Sequence, residues 1–399
     1  MRSPALLARG HGIAVLGLAV NLALAAMAMA CDVPVFRYAL ERWEPEGYSV
    51  CAVLMGDPTA EQTAELALLL NSSKGYAATT PANIELFAQT SGRATTGELA
   101  MPPPPTSELA SMLTARTFDK PTFVVLSPQK TIVWTAPIIP GSASRILQSP
   151  ARAAVTDHLL QGATAVWLLL EQGDKEKDEA FEASLRSLLA GAVKTLTRQN
   201  EAMRAVDAAE DADQQPAFTI TFPIVRVCAN LADEAFLSAM ITGVFTADAG
   251  GATLSLPAAV PMFGRGRMLA IMTGNDLNAE SILRIGAYLS GPCSCEAKAL
   301  NPGVDLLFSA DWLNAVTQTY ADARILPPLP GPGDLMKANT ERSGTISSRE
   351  TRQPPTTPPP PTASSMQLYN FSFITPLPLI LAVLIILAAA SYYYIRKAG

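Results

Sequence analysis

The chain has 399 residues, 49% of them hydrophobic and 16% charged, so it can bury a sizeable core and is not a mainly disordered polymer. At ~150 residues per domain, that length allows two folded domains and further segments. The 29 Lys and Arg against 35 Asp and Glu give a net charge of −6. There is no long basic run to neutralise phosphates, which excludes a nucleic-acid-binding protein.

Residues 1–30 read as a secretory signal peptide: Arg2 and Arg9, an apolar stretch from Gly12 to Met27, then Ala28-Met29-Ala30. Cleavage after Ala30 leaves Cys31 first. Plain cleavage, lipidation of Cys31 and an uncleaved anchor are all open, although Ala28 and Met29 make a poor lipobox. At the other end, 371–394 reads as a transmembrane helix, because Leu377 to Ala390 is uncharged and about 20 such residues span a bilayer core. Tyr392, Tyr393 and Tyr394 stand at the interface, and Arg396 and Lys397 place the 395–399 tail on the cytoplasmic side. Setting these four terminal basic residues aside leaves 25 against 35 acids, about −10 for the exported part, which disfavours anionic lipid. The Pro-, Ser- and Thr-rich stretch 326–370 reads as a disordered stalk.

Between these addresses the chain alternates strand and helix. The segment Val35 to Trp43 reads as a helix packed on the first sheet, with an exposed Tyr38 and Trp43 contact face as the alternative. Then come Tyr48–Met55 (strand), Glu61–Leu70 (helix, Thr59 as cap), Asn83–Gln89 (strand), Ser107–Arg116 (helix), Thr122–Leu126 and Thr131–Thr135 (strands) and Ala143–Leu160 (helix). The second half repeats the order. It runs through Ala165–Leu170 (strand), a long helix from Lys175 to about Arg198, an acidic loop at 210–215, Phe222–Cys228 (strand), Asp233–Thr242 (helix), Val260–Phe263 and Met268–Thr273 (strands) and Asn278–Leu289 (helix). Acids at the start of the long helix and Lys194 and Arg198 near its end suit the helix dipole.

The order βαβαββα occurs twice, and Pro121 and Pro261 each head a third strand; this pattern resembles the thioredoxin fold. The resemblance implies an α/β chain of two tandem thioredoxin-like domains, 31–160 with the N-terminal helix and 161–325, followed by the C-terminal transmembrane helix. It also implies a cis-Pro before the third strand. Where that family carries CxxC, this chain has Gly56-Asp57-Pro58-Thr59 and Gln172-Gly173-Asp174-Lys175. Cys31 to Trp43, and Gly291-Pro292-Cys293-Ser294-Cys295 with Asn301-Pro302-Gly303, are similar to stretches of exported, membrane-anchored bacterial proteins, a likeness that assigns no activity.

Of five cysteines, Cys51 and Cys228 fall in strands and read as small buried hydrophobes. Three readings stay open for Cys293 and Cys295: a strained, reactive CxC disulfide, a Cu(I) site of two thiolates, or a structural pair with one member bridged to Cys31. His158, the one histidine outside the leader, reads as a surface residue, and no G-x-S-x-G elbow accompanies it. Gly264-Arg265-Gly266-Arg267 reads as a hairpin turn whose Arg265 and Arg267 could contact a partner. The acids from Glu171 to Glu179 lack calcium-loop spacing and read as a solvated helix start. The expectation is a single-pass extracytoplasmic binding or scaffold protein of the cell envelope, held by its C-terminal helix, with a protein partner and no cofactor. The alternative is a thiol-disulfide or Cu(I)-handling protein using Cys293 and Cys295.

Overall fold

The chain enters through β1 (Cys31–Pro34) and α1 (Val35–Arg42), and then builds its first sheet. Tyr48-Ser-Val-Cys-Ala-Val-Leu forms β2 (Tyr48–Leu54), buried along its whole length as befits a central strand. α2 (Ala60–Ser72), β3 (Ile84–Thr90), α3 (Ser107–Thr114), β4 (Thr122–Leu126) and β5 (Ile132–Pro137) follow. The order is β3-β2-β4-β5; β2 is parallel to β3 and antiparallel to β4, and β4 is antiparallel to β5. The computed structural model describes residues 31–73, 81–90, 101–104, 106–207, 218–228, 231–293 and 298–321. The leader, stalk, membrane segment and tail expected from the sequence, the acidic loop and Cys295 lie outside the described residues. Among the described residues no helix is long and apolar enough to cross a membrane.

The single helix expected over 143–160 is two, α4 (Ser142–Leu147) and α5 (Pro150–Leu160). The break has a local cause: Ser149 Oγ accepts from Arg152 N at 3.3 Å as N-cap, and Pro150 occupies the first helical position, where its missing N–H costs nothing.

The second sheet comes from β6 (Val166–Glu171), α6 (Lys175–Asp207), β7 (Ile224–Cys228), α7 (Ala235–Asp248), β8 (Ala258–Phe263), β9 (Arg267–Met268), β10 (Met272–Thr273) and α8 (Ala279–Ser290). Its path is β12-β9-β8-β6-β7, with β10 also on β8; β12 (Val304–Asp305) adds an edge. The run β7-β6-β8-β9 repeats the strand order and polarity of the first sheet.

Pro261 does not head its strand. β8 starts three residues earlier, at Ala258, Pro261 lies inside it opposite Trp167, and Pro257 precedes it with a cis Leu256–Pro257 bond; the bond before Pro121 is not cis. The strand expected over 268–273 is interrupted for a related reason. Leu269 N donates to Pro261 O at 3.0 Å, but Pro261 has no N–H to return, and the ladder resumes only at Met272.

Both sheets fall in one unit, which takes in all the described residues but 245–253. A second unit takes in 245–253, where Ala249 N donates to Phe245 O and Gly251 N to Thr246 O, both at 2.8 Å, ending α7 as a glycine-capped turn.

Within the first unit the chain ends cross over. The N-terminal helix packs on the second sheet and not, as expected, on the first: Val35, Phe36, Ala39 and Trp43 share a core with Trp167, Leu185, Phe263 and Ile282. The amphipathic face of α1 dictates burial but not the surface that receives it. Burying Val35, Phe36 and Trp43 contributes roughly 5–9 kcal/mol before ordering costs. In the opposite direction Leu306, Leu307 and Phe308, all buried, run to the first sheet, where Phe308 N donates to Asn83 Oδ1 at 2.9 Å and Ala310 N to Pro81 O at 3.0 Å. α9 (Trp312–Ala321) ends the described chain.

Candidate functional site

The two strand-to-helix corners are built as helix caps. After β2, Thr59 Oγ1 accepts from Gln62 N at 3.3 Å while Thr59 N donates to Gln62 Oε1 at 3.0 Å, a reciprocal capping box. After β6, the buried Asp178 carboxylate accepts from Gln172 N and Gly173 N at 2.9 and 3.0 Å, and Asp174 Oδ1 accepts from Lys177 N at 3.3 Å. The Lys177 ammonium, 3.0 Å from Asp174 Oδ2, and after it the amide bond hold the Asp174 carboxyl below the usual range. Beside this corner Arg226 bridges Glu171 and Glu182, and its bond to Glu171 holds its proton more tightly than usual.

Gly264-Arg265-Gly266-Arg267 is a hairpin turn between β8 and β9, with both glycines at positive φ, +57° and +87°. Its arginines point inward, a correction to their reading as partner contacts. Arg265 is 7% exposed and donates to Leu40 O, Glu41 O and Glu44 Oε1 at 2.8, 2.9 and 2.8 Å, so it caps the carboxyl end of α1. Arg267, equally hidden, donates to Asn301 O and Pro302 O at 2.9 and 3.0 Å and to Asp305 Oδ1 at 2.9 Å, and its guanidinium lies 5.8 Å from the Trp43 ring centre. Asp305 also accepts from Lys298 and, at 2.7 Å, from Glu46 N. One turn thus clasps the entering helix and the returning segment together.

Three other buried charges do the same for α4 and α5. Glu65 accepts from Gly141 N, Ala143 N and Ser142 Oγ at 2.8, 2.7 and 3.4 Å, neutralising the amino end of α4. Arg152 donates to Arg145 O and Ile146 O at that helix's carboxyl end, at 3.0 and 2.8 Å, and to Leu307 O at 3.2 Å. It also lies over the Phe236 ring at 5.3 Å, and burial holds its pKa down to about 10. Glu234 Oε1 accepts from Ala151 N at 2.7 Å, capping α5.

Arg152 and Phe308 form part of the wall of a groove of about 1000 Å³ along α4, α5 and the segment 308–315. Arg145, Asp157, Asp233 and Asp311 bring charges of both signs to it, and Leu147, Leu160 and Ala310 bring apolar surface. No sequence signal pointed to it, because its lining comes from three separate stretches, 141–160, Asp233 and 308–315. His158 is half-buried in the last turn of α5. Among the described residues no cluster of His, Cys, Asp and Glu could hold a metal ion.

The cysteines divide. Cys51 is fully buried between β3 and β4, and Cys228 is half-buried at the end of β7; neither is bonded to another cysteine. Burial pushes the Cys51 thiol from the usual 9 up to about 12. Stability from the protonated folded thiol is full below pH 9 and is lost as pH rises towards 12. Between pH 9 and 10 this loss comes to about 1 kcal/mol. Urea unfolding at the two pH values measures it, and Cys51→Val should remove that part of the fall. Above pH 10 the test blurs, since Tyr48, whose pKa burial raises, adds to the loss and Arg152 opposes it. Cys293, in β11 (Pro292–Cys293), pairs with β1 in register opposite Cys31. Compared with models of known protein families and with curated proteins, the chain matches none.

Proposed function

We propose that the chain is a membrane-anchored, extracytoplasmic binding or scaffold protein of a bacterial cell envelope, built on two thioredoxin-like sheets. The observation that carries the reading is the repeated strand order, β3-β2-β4-β5 and β7-β6-β8-β9, with a helix cap at both corners where a redox pair would stand. A capping box and a buried carboxylate on two backbone amides stabilise a helix start and leave no nucleophile there. The groove along α5 is the surface assigned to the partner, and the sequence supplies the leader and the apolar segment 371–394.

The anchoring half of the reading is tested by extraction. The full chain should stay in the membrane pellet after an alkaline wash. Val383→Arg with Ile386→Arg should release it, since each arginine at the centre of a spanning helix costs about 2.5–3.5 kcal/mol. A wild-type chain that washes off contradicts the anchor.

A further inference from the structure

We propose that Cys31 and Cys293 are joined in a cross-strand disulfide that pins the start of the exported chain to the strand following α8, with Cys295 left outside the bond. β1 and β11 are antiparallel, Cys31 stands opposite Cys293 and Pro34 opposite Pro292 with a bulge in β1 between the two pairs, and Val35 N donates to Gly291 O at 3.0 Å just beyond Pro292. Directly opposed residues of a regular antiparallel pair have Cα atoms about 4.5–5.5 Å apart, inside the window of about 4.4–6.8 Å that a disulfide needs, and the bulge falls after the Cys31–Cys293 pair. The competing Cys293–Cys295 bond would close a ring across a single residue, a strained arrangement. Cys51 and Cys228 lie in the two sheets, away from this ladder. The bond holds α1, whose Phe36 and Trp43 lie in the second-sheet core, at both of its ends: Arg265 at the carboxyl end and the disulfide before the amino end.

The inference rests on the export proposed above, because thiols stay reduced in the cytosol. A donor disulfide supplies the oxidising equivalents. The two S–H bonds of Cys31 and Cys293 break and one S–S bond forms, and both protons and both electrons pass to the donor, which leaves as two thiols. The bond also excludes lipidation of Cys31, since a thioether uses the same sulfur.

The test takes the full chain from membranes of a host that expresses it with its own leader. Its thiols are blocked with an alkylating agent in denaturant, and it is digested with trypsin without reduction. The expected product is Cys31–Arg37 linked to Ile285–Lys298, with fragmentation placing the bond on Cys293 and the alkyl group on Cys295. The linked pair should persist in Cys295→Ser and vanish in Cys293→Ser. A Cys293–Cys295 bond, a lipid on Cys31, alkyl groups on Cys31, Cys293 and Cys295 together behind a cleaved leader, or a link that survives Cys293→Ser each overturns the proposal. If the leader is still attached and every cysteine is alkylated, the export reading fails and the disulfide falls with it; the N-terminal peptide distinguishes that failure from the others.

Discussion

Replacing Asp305 by alanine should lower the stability of the folded region by about 3–5 kcal/mol, read as a shift in the urea midpoint at constant slope. Asp305 is 2% exposed and receives Arg267, Lys298 and the Glu46 amide. Removing its carboxylate leaves the Arg267 guanidinium charged in a site closed by Trp43 and the Asn301 and Pro302 carbonyls. The cost is mainly that of an uncompensated buried charge, so Arg267→Leu in the same chain should relieve part of it. The double variant should then be less destabilised than the sum of the two single changes by about 1 kcal/mol or more. Strict additivity would mean that the two side chains do not act as a pair.

Gly266→Ala should cost about 3 kcal/mol. Gly266 has a φ of +87°, which a residue with a Cβ adopts at a cost of about 1–2 kcal/mol, and a Cβ there would run into the buried Phe308 ring, adding a repacking cost of about 1–3 kcal/mol. Gly162 supplies the control. Its φ is +88° but nothing lies within 4 Å of where a Cβ would stand, so Gly162→Ala should show the backbone cost alone. The difference between the two midpoints measures how tightly the returning segment presses on the β8–β9 turn. Equal costs would mean that Phe308 yields to a methyl group without loss.

Much of the fold was legible because it is encoded locally. The apolar runs at Tyr48, Thr122 and Val166, each closed by turn residues, became central strands, and Thr59 capped the helix it was assigned. The break at Ser149-Pro150 was also written locally, as a cap residue followed by a first-position proline, but the apolar spacing on either side reads through it. The crossing of the two ends was not legible. An amphipathic α1 requires a partner surface without naming one, and Leu306-Leu307-Phe308 is too short to announce a strand. Likewise Arg265 and Arg267 read as donors, but which way a turn aims them depends on α1, more than 200 residues away in sequence, and on the returning segment 301–305, and the groove beside α5 exists only once the chain has returned through 306–308.

Because each end of the chain completes the other half, the two sheets should open as one cooperative body. Native-state hydrogen exchange under rising denaturant tests this through two amides: Tyr48, bonded to Asn83 O at 2.8 Å in the first sheet, and Trp167, bonded to Pro223 O at 2.8 Å in the second. Crossed ends predict a common opening free energy for both. Exchange of Tyr48 several kcal/mol below Trp167, with the second sheet still protected, would contradict the shared body.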